Sequence, residues 1–149
     1  MLLHKAEIAR RQIETACELF FSGADFLAVV TLAGAAEEIL GTLIRRRDEK
    51  AMIDHLCDLN SKLTGAREFP EFSQKINWIR NSLKHAKRPN EDELEVKEGE
   101  AISMLSRAVA NYVLFTRGEA TPSMVRVYEH LREMHSDTAR QPFKPKDKH

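Results

Sequence analysis

One amphipathic segment organises the chain: residues 72–86 read FSQKINWIRNSLKHA. Its apolar residues recur at intervals of four, three, four and three, the spacing of one face of an α-helix. These residues are Phe72, Ile76, Ile79, Leu83 and Ala86. At about 100° per residue, Asn81 and His85 fall almost opposite that face, and Lys84 falls between them. Arg80 lies to one side. The spacing predicts one helix whose polar face carries a guanidinium, a carboxamide and an imidazole.

This polar face has two interpretations. An amphipathic helix at a protein surface carries solvated polar side chains on its outer face, and these residues then need no further role. The same groups are also suited to holding and attacking a phosphodiester. A guanidinium binds phosphate through paired N–H donors, and an imidazole exchanges protons near neutral pH.

The six residues Arg80-Asn81-Ser82-Leu83-Lys84-His85 resemble the motif of HEPN domains (higher eukaryotes and prokaryotes nucleotide-binding). That motif is an arginine followed, after four to six residues, by a histidine. The surrounding sequence fits the same family, because two long helices are predicted before the motif, and a turn and another amphipathic helix after it. The resemblance covers roughly residues 1–118.

The rest of the chain also favours an all-α fold. Hydrophobic periodicity predicts further helices at residues 2–21, 25–46, 51–63 and 98–117, and a last helix that starts at Pro122 with Thr121 as its cap. Residues 64–70 are predicted as a loop. We expect a HEPN-like up-and-down bundle of four to five main helices plus a C-terminal helix in residues 1–135. A polar, disordered tail is expected at 136–149.

The second predicted helix, residues 25–46, is apolar nearly all round, which predicts the central and most buried helix. Glu37 and Glu38 interrupt its apolar surface. Two alternatives stay open for them. Glu38 either reaches solvent, or one of the two carboxylates faces Arg80 or His85 and orients it.

Composition restricts the class of protein. The 149 residues carry 23 basic and 23 acidic side chains, so net charge gives no sign of a nucleic-acid or membrane binder. The charges are nevertheless segregated, because residues 75–88 hold five Lys or Arg and no acid, whereas residues 91–100 hold six acids and one Lys. The acidic segment is either a solvated loop or a cover over the basic face.

The cysteines, the first residues and the longest apolar stretch indicate the cellular compartment and the need for a metal. Cys17 and Cys57 are too few for a zinc site or a disulfide framework, so we expect buried thiols, no metal and a reducing cytoplasm. Charges interrupt the first residues, MLLHKAE, so no signal peptide is expected. The longest apolar stretch, residues 26–36, is too short to span a bilayer.

The resemblance implies a mechanism. Two subunits would pack their motif helices together and form one cleft that needs no metal or other cofactor. His85 would be the general base or acid on a ribose 2′-hydroxyl or on the leaving 5′-oxygen. Arg80 would hold the scissile phosphate, and Asn81 would orient the imidazole or the phosphate. The cations that would contact neighbouring phosphates are Lys84, Lys87 and Arg88.

Three classes of function follow. The first is a metal-independent endoribonuclease of toxin or defence type, acting as a homodimer, with an antitoxin-like protein as a candidate partner. The second is a non-catalytic HEPN-like module that binds RNA, a nucleotide or a protein. The third is a helical oligomer of unrelated lineage, in which Arg80 and His85 are ordinary surface residues. Toxin-type relatives often carry a tyrosine two residues after the histidine, where this chain has Lys87.

Overall fold

The computed structural model describes residues 1–65, 69–85 and 92–140, and every regular element within these ranges is an α-helix. The predicted all-α class is therefore confirmed. The helices are α1 (Lys5–Phe21), α2 (Phe26–Arg45), α3 (Met52–Thr64), α4 (Phe69–Ile76), α5 (Trp78–Lys84), α6 (Glu98–Thr116) and α7 (Pro122–Arg140).

The core is built by α1, α2 and α6, which pack against one another, and α7 lies against α1 and α6. Helix α1 buries Ala9, Ile13, Ala16, Cys17 and Phe20 in this core, and Ala6 is partly buried against it. The largest fully buried apolar side chains are Ile13, Leu40, Ile44, Leu105, Met124, Val29, Val30 and Val127. Burying such side chains is the main favourable term in folding.

Local signals in the sequence set several helix ends, and the predicted cap at Thr121 is among them. Gly23 has a φ of 66°, a left-handed conformation that glycine adopts without steric cost, and it follows the end of α1. Asp25 caps α2 by accepting from the backbone N–H of Leu27 at 2.9 Å. The Thr121 hydroxyl accepts from the Met124 N–H at 3.4 Å, and Pro122 occupies the first position of α7.

Helices α2 and α6 are equally buried at the centre of the bundle. Each of α2 and α6 contributes nine buried residues, so α2 is not the single most buried helix. By length and composition alone, α2 is also apolar enough to cross a membrane, which residues 26–36 did not suggest. Half of its 18-residue apolar stretch is buried inside the protein. The core helix of a folded domain meets the same conditions of length and composition.

Helix α3 is buried along only part of its length. Ile53 is buried against Ile44 and Ala51, but Leu59 and Leu63 are 52% and 75% exposed. The structure places α3 against α6 and α4, and the buried residues Ile53 and Cys57 lie in its first two turns. The two leucines on the far half of the helix therefore stay at the surface.

The end of the chain departs from the predicted boundary at residue 135. Helix α7 continues to Arg140, so residues 136–140 of the predicted tail are helical. Residues 141–149 lie outside the described part of the chain.

Leu40→Ala is expected to lower the free energy of unfolding by about 2–5 kcal/mol, because Leu40 is 0% exposed and its removal leaves a cavity. Leu27→Ala on the same helix is the matched control, since Leu27 is 46% exposed and should cost about 0.5 kcal/mol or less. Urea unfolding followed by circular dichroism measures both. Equal effects would contradict the assignment of α2 to the core.

Candidate functional site at helix α5

The segment predicted as one helix is two helices, because the chain turns at Asn77 between α4 and α5. A continuous helix would pair the Ile76 carbonyl with the Arg80 N–H. Here the Ile76 carbonyl instead accepts from Arg107 Nη1 at 3.3 Å. Asn77 is buried, and its Oδ1 accepts from Arg107 Nη2 at 2.8 Å. Asn77 itself keeps its helical backbone bonds, from its N–H to the Ser73 carbonyl at 3.0 Å and from the Asn81 N–H to its carbonyl at 2.9 Å. The side chain from α6 therefore replaces the helical partner of the Ile76 carbonyl alone.

The start of this segment also differs from the prediction. Residues 64–70 were expected to form a loop, but α4 begins at Phe69 and includes Pro70. Proline fits the first turn of a helix, because the N–H groups there have no partner within the helix.

The interpretation of Arg80 as a solvated surface residue does not hold, because its side chain is only 11% exposed and reaches into the bundle. Arg80 Nη1 pairs with Glu37 Oε2 at 3.0 Å. The aliphatic stem of Arg80 lies on Gly34, where an added Cβ would come within 2.7 Å of both Cγ and Cδ. Gly34 and Glu37 are one turn apart on α2. That turn therefore supports the stem and neutralises the head group.

Glu37 holds a second guanidinium as well. Its Oε1 accepts from Arg107 Nη2 at 3.0 Å, and the side chains of Glu37 and Arg107 are only 4% and 7% exposed. Both alternatives stated for the two acids are observed: Glu37 is the carboxylate that faces Arg80, and Glu38 reaches solvent with a side chain that is 59% exposed. The cluster carries two positive charges and one negative charge. The Nε atoms of Arg80 and Arg107 are buried and have no hydrogen-bond partner among the described residues.

Two residues of this cluster were missed in the sequence. Arg107 and Asn111 are buried polar residues on α6, four apart. Asn111 Nδ2 donates to the Glu37 carbonyl at 3.0 Å, and its Oδ1 accepts from the Met52 N–H at 2.8 Å, at the start of α3. The available signal was a pair of polar residues inside the most apolar stretch of α6. Buried polar residues of this kind are normally hydrogen-bonded.

The other predicted site residues on α5 are at the surface. Asn81, Lys84 and His85 are exposed. Lys84 Nζ lies 3.5 Å from Oε2 of Glu38, whose side chain is 59% exposed, so this pair is weak. His85 has extended backbone angles and ends α5, so its ring does not continue the helical face of Asn81. Lys87 and Arg88 lie outside the described residues.

The described surface has depressions of different character. A polar cleft of about 190 Å³ lies beside the Arg80–Glu37 pair, and its walls include Thr42, Ser73 and Asn77. A larger groove of about 840 Å³ runs between α3, α6 and α7 and is mostly apolar. Within residues 1–65, 69–85 and 92–140, no three His, Cys, Asp or Glu side chains are grouped as metal ligands.

Comparison of the chain with models of known protein families, with curated proteins and with solved structures finds no match. The resemblance to HEPN domains therefore rests on the motif from Arg80 to His85 and on the order of the helices.

Proposed function

We propose that this protein is a cytoplasmic, metal-independent endoribonuclease whose active site forms between the α5 surfaces of two subunits. The observation that carries the proposal is the arrangement of α5. Asn81, Lys84 and His85 are exposed at its end, while Arg80 anchors the same helix to a buried carboxylate.

Cleavage of RNA needs a base and an acid. In the proposed reaction, one imidazole takes the proton from a ribose 2′-hydroxyl, and the 2′-oxygen attacks the adjacent phosphorus. The bond to the 5′-oxygen breaks, and a second imidazole protonates that leaving oxygen. Each subunit supplies one His85, so a two-fold dimer supplies both groups. The products are a 2′,3′-cyclic phosphate and a 5′-hydroxyl.

The remaining motif residues have distinct roles in this proposal. Lys84 is weakly paired with an exposed carboxylate, so it can exchange that partner for a phosphate. Asn81 supplies a carboxamide that hydrogen-bonds the phosphate or the imidazole. Arg80 stabilises the negative charge that develops on the phosphate oxygens. Lys87 and Arg88 remain expected contacts to neighbouring phosphates.

Wild-type protein is expected to cleave a single-stranded RNA pool in excess EDTA and to leave DNA of the same sequences intact. DNA should stay intact because it lacks the 2′-hydroxyl nucleophile. EDTA should not inhibit because the proposed reaction uses no metal-bound water. Activity per mole of protein should fall on dilution as light scattering reports dissociation of the dimer. Intact RNA, from protein freed of co-purifying partners, would count against the enzyme.

A second candidate is a non-catalytic HEPN-like module, and one observation favours it. The Arg80 side chain is only 11% exposed and is paired with Glu37, so the free protein presents little of that guanidinium to solvent as a phosphate ligand. The apolar groove between α3, α6 and α7 would then be the surface for a protein partner. Binding of RNA or of a partner without cleavage would support this module.

A further inference from the structure

We infer that Gly34, Glu37 and Arg107 form a holder that keeps the Arg80 guanidinium out of solvent in the free protein and releases it to a phosphate group. The identity of that phosphate, as part of an RNA backbone, rests on the proposed function. Arg107 has a separate task in the holder, because it stays on Glu37 when Arg80 leaves.

The charges of the cluster lower the free-energy cost of releasing Arg80. In an ordinary buried ion pair, departure of one partner leaves an uncompensated charge at a large cost. Glu37 instead has one guanidinium on each oxygen, Arg107 on Oε1 and Arg80 on Oε2, both at 3.0 Å. When Arg80 leaves, a one-to-one pair remains. Arg107 also keeps its bonds to Asn77 and to the Ile76 carbonyl.

The two arginines differ in how freely they can move. Arg107 lies in the middle of α6, within the core of the bundle. Arg80 lies on α5, which has seven residues, none of them fully buried, and which ends at the extended His85. Short segments with few buried apolar contacts open locally without global unfolding. The arginine beside the motif is therefore the one that can be released.

Gly34 makes the held position possible. The Arg80 stem occupies the space where a side chain at residue 34 would stand, since an added Cβ would meet Cγ and Cδ at 2.7 Å. Gly34→Ala should therefore expel Arg80 from the holder. Gly41→Ala is the matched control on the same helix, because its Cβ would make only ordinary contacts of 3.6 Å with Ala51 and Asn111.

Labelling with phenylglyoxal, followed by peptide mass spectrometry, tests the holder directly. In the wild-type protein, the exposed Arg46 should react fastest, Arg80 more slowly and Arg107 slowest. Alkylation of Cys17 reports global unfolding, because this thiol is 1% exposed and burial raises its pKa to about 12. In Gly34→Ala, the rate at Arg80 should approach that at Arg46, whereas Gly41→Ala should label like the wild type.

Two labelling results would overturn the inference. One is an Arg80 rate that is unchanged by Gly34→Ala. The other, which needs no variant, is wild-type Arg80 reacting only as fast as Arg107 and Cys17, since Arg80 would then be reached only by global unfolding.

Binding of a 2′-O-methyl RNA oligonucleotide tests the release to phosphate, because that probe lacks the 2′-hydroxyl nucleophile. Gly34→Ala should bind it on the order of tenfold more tightly than wild type, and Gly34→Ala/Arg80→Met should lose the gain. Faster labelling of Arg80 with unchanged affinity would overturn the release to phosphate. Absence of binding by the wild type and by every variant would contradict the proposed function, and the labelling rates would still decide the holder.

Discussion

Glu37→Gln is expected to lower the free energy of unfolding by about 3–5 kcal/mol. The carboxylate is 3% exposed and is the shared counter-charge for Arg80 and Arg107. The substitution keeps the shape of the side chain but removes its charge. Arg80 can move to solvent with α5, whereas Arg107 is fixed in α6, so its charge would remain buried without a carboxylate. Urea unfolding measures the loss.

Two further variants test whether the loss of stability in Glu37→Gln comes from the unpaired charge of Arg107. Arg80→Met leaves Glu37 paired with Arg107, so it should cost only about 1–2 kcal/mol, the value of the lost hydrogen bond. Glu38→Gln, on the adjacent exposed residue, should change stability by about 0.5 kcal/mol or less. A Glu37→Gln protein as stable as Glu38→Gln would contradict the charge balance described for the cluster.

His85→Ala is expected to reduce the rate of RNA cleavage by about 10²- to 10⁴-fold, the usual contribution of a general acid or base. Because His85 is exposed and lies beyond α5, the unfolding free energy should change by about 0.5 kcal/mol or less. Initial rates on a fluorescent RNA measure the effect.

His55→Ala is the matched control for that experiment. His55 is also an exposed histidine, but it lies on α3, outside the motif. Its replacement should leave the cleavage rate unchanged. Activity that survives His85→Ala, or that falls equally in both variants, would remove His85 from the mechanism.

The core could be predicted from the sequence because it depends on the periodic spacing of apolar residues within each helix. The apolar positions Ile13, Phe20, Leu40 and Leu105 recur at helical spacing, and all are buried. The same spacing puts Leu59 and Leu63 on the apolar face of α3, yet both remain exposed. Periodicity identifies the apolar face of a helix, but it does not say whether another helix covers that face.

The site could be predicted only in part, because its decisive contacts are distant in sequence. The helical spacing of Ile76, Ile79 and Leu83 gives no sign of the turn at Asn77. That turn is stabilised by Arg107, 30 residues later in the chain. Arg80 is largely removed from solvent because Glu37, 43 residues earlier, pairs with it and its stem lies on Gly34. Asn81, Lys84 and His85 are exposed, as expected for polar residues opposite the apolar face, but His85 ends α5 and does not continue that face.

Cleavage of a DNA oligonucleotide with a single ribonucleotide tests the central claim, that His85 drives attack by a 2′-hydroxyl. The wild-type protein in EDTA should cut only at the bond 3′ to the ribose. Mass spectrometry should find a 2′,3′-cyclic phosphate on one product and a 5′-hydroxyl on the other, and His85→Ala should leave the substrate intact. Cutting at deoxyribose positions, or the same products from His85→Ala, would contradict the account.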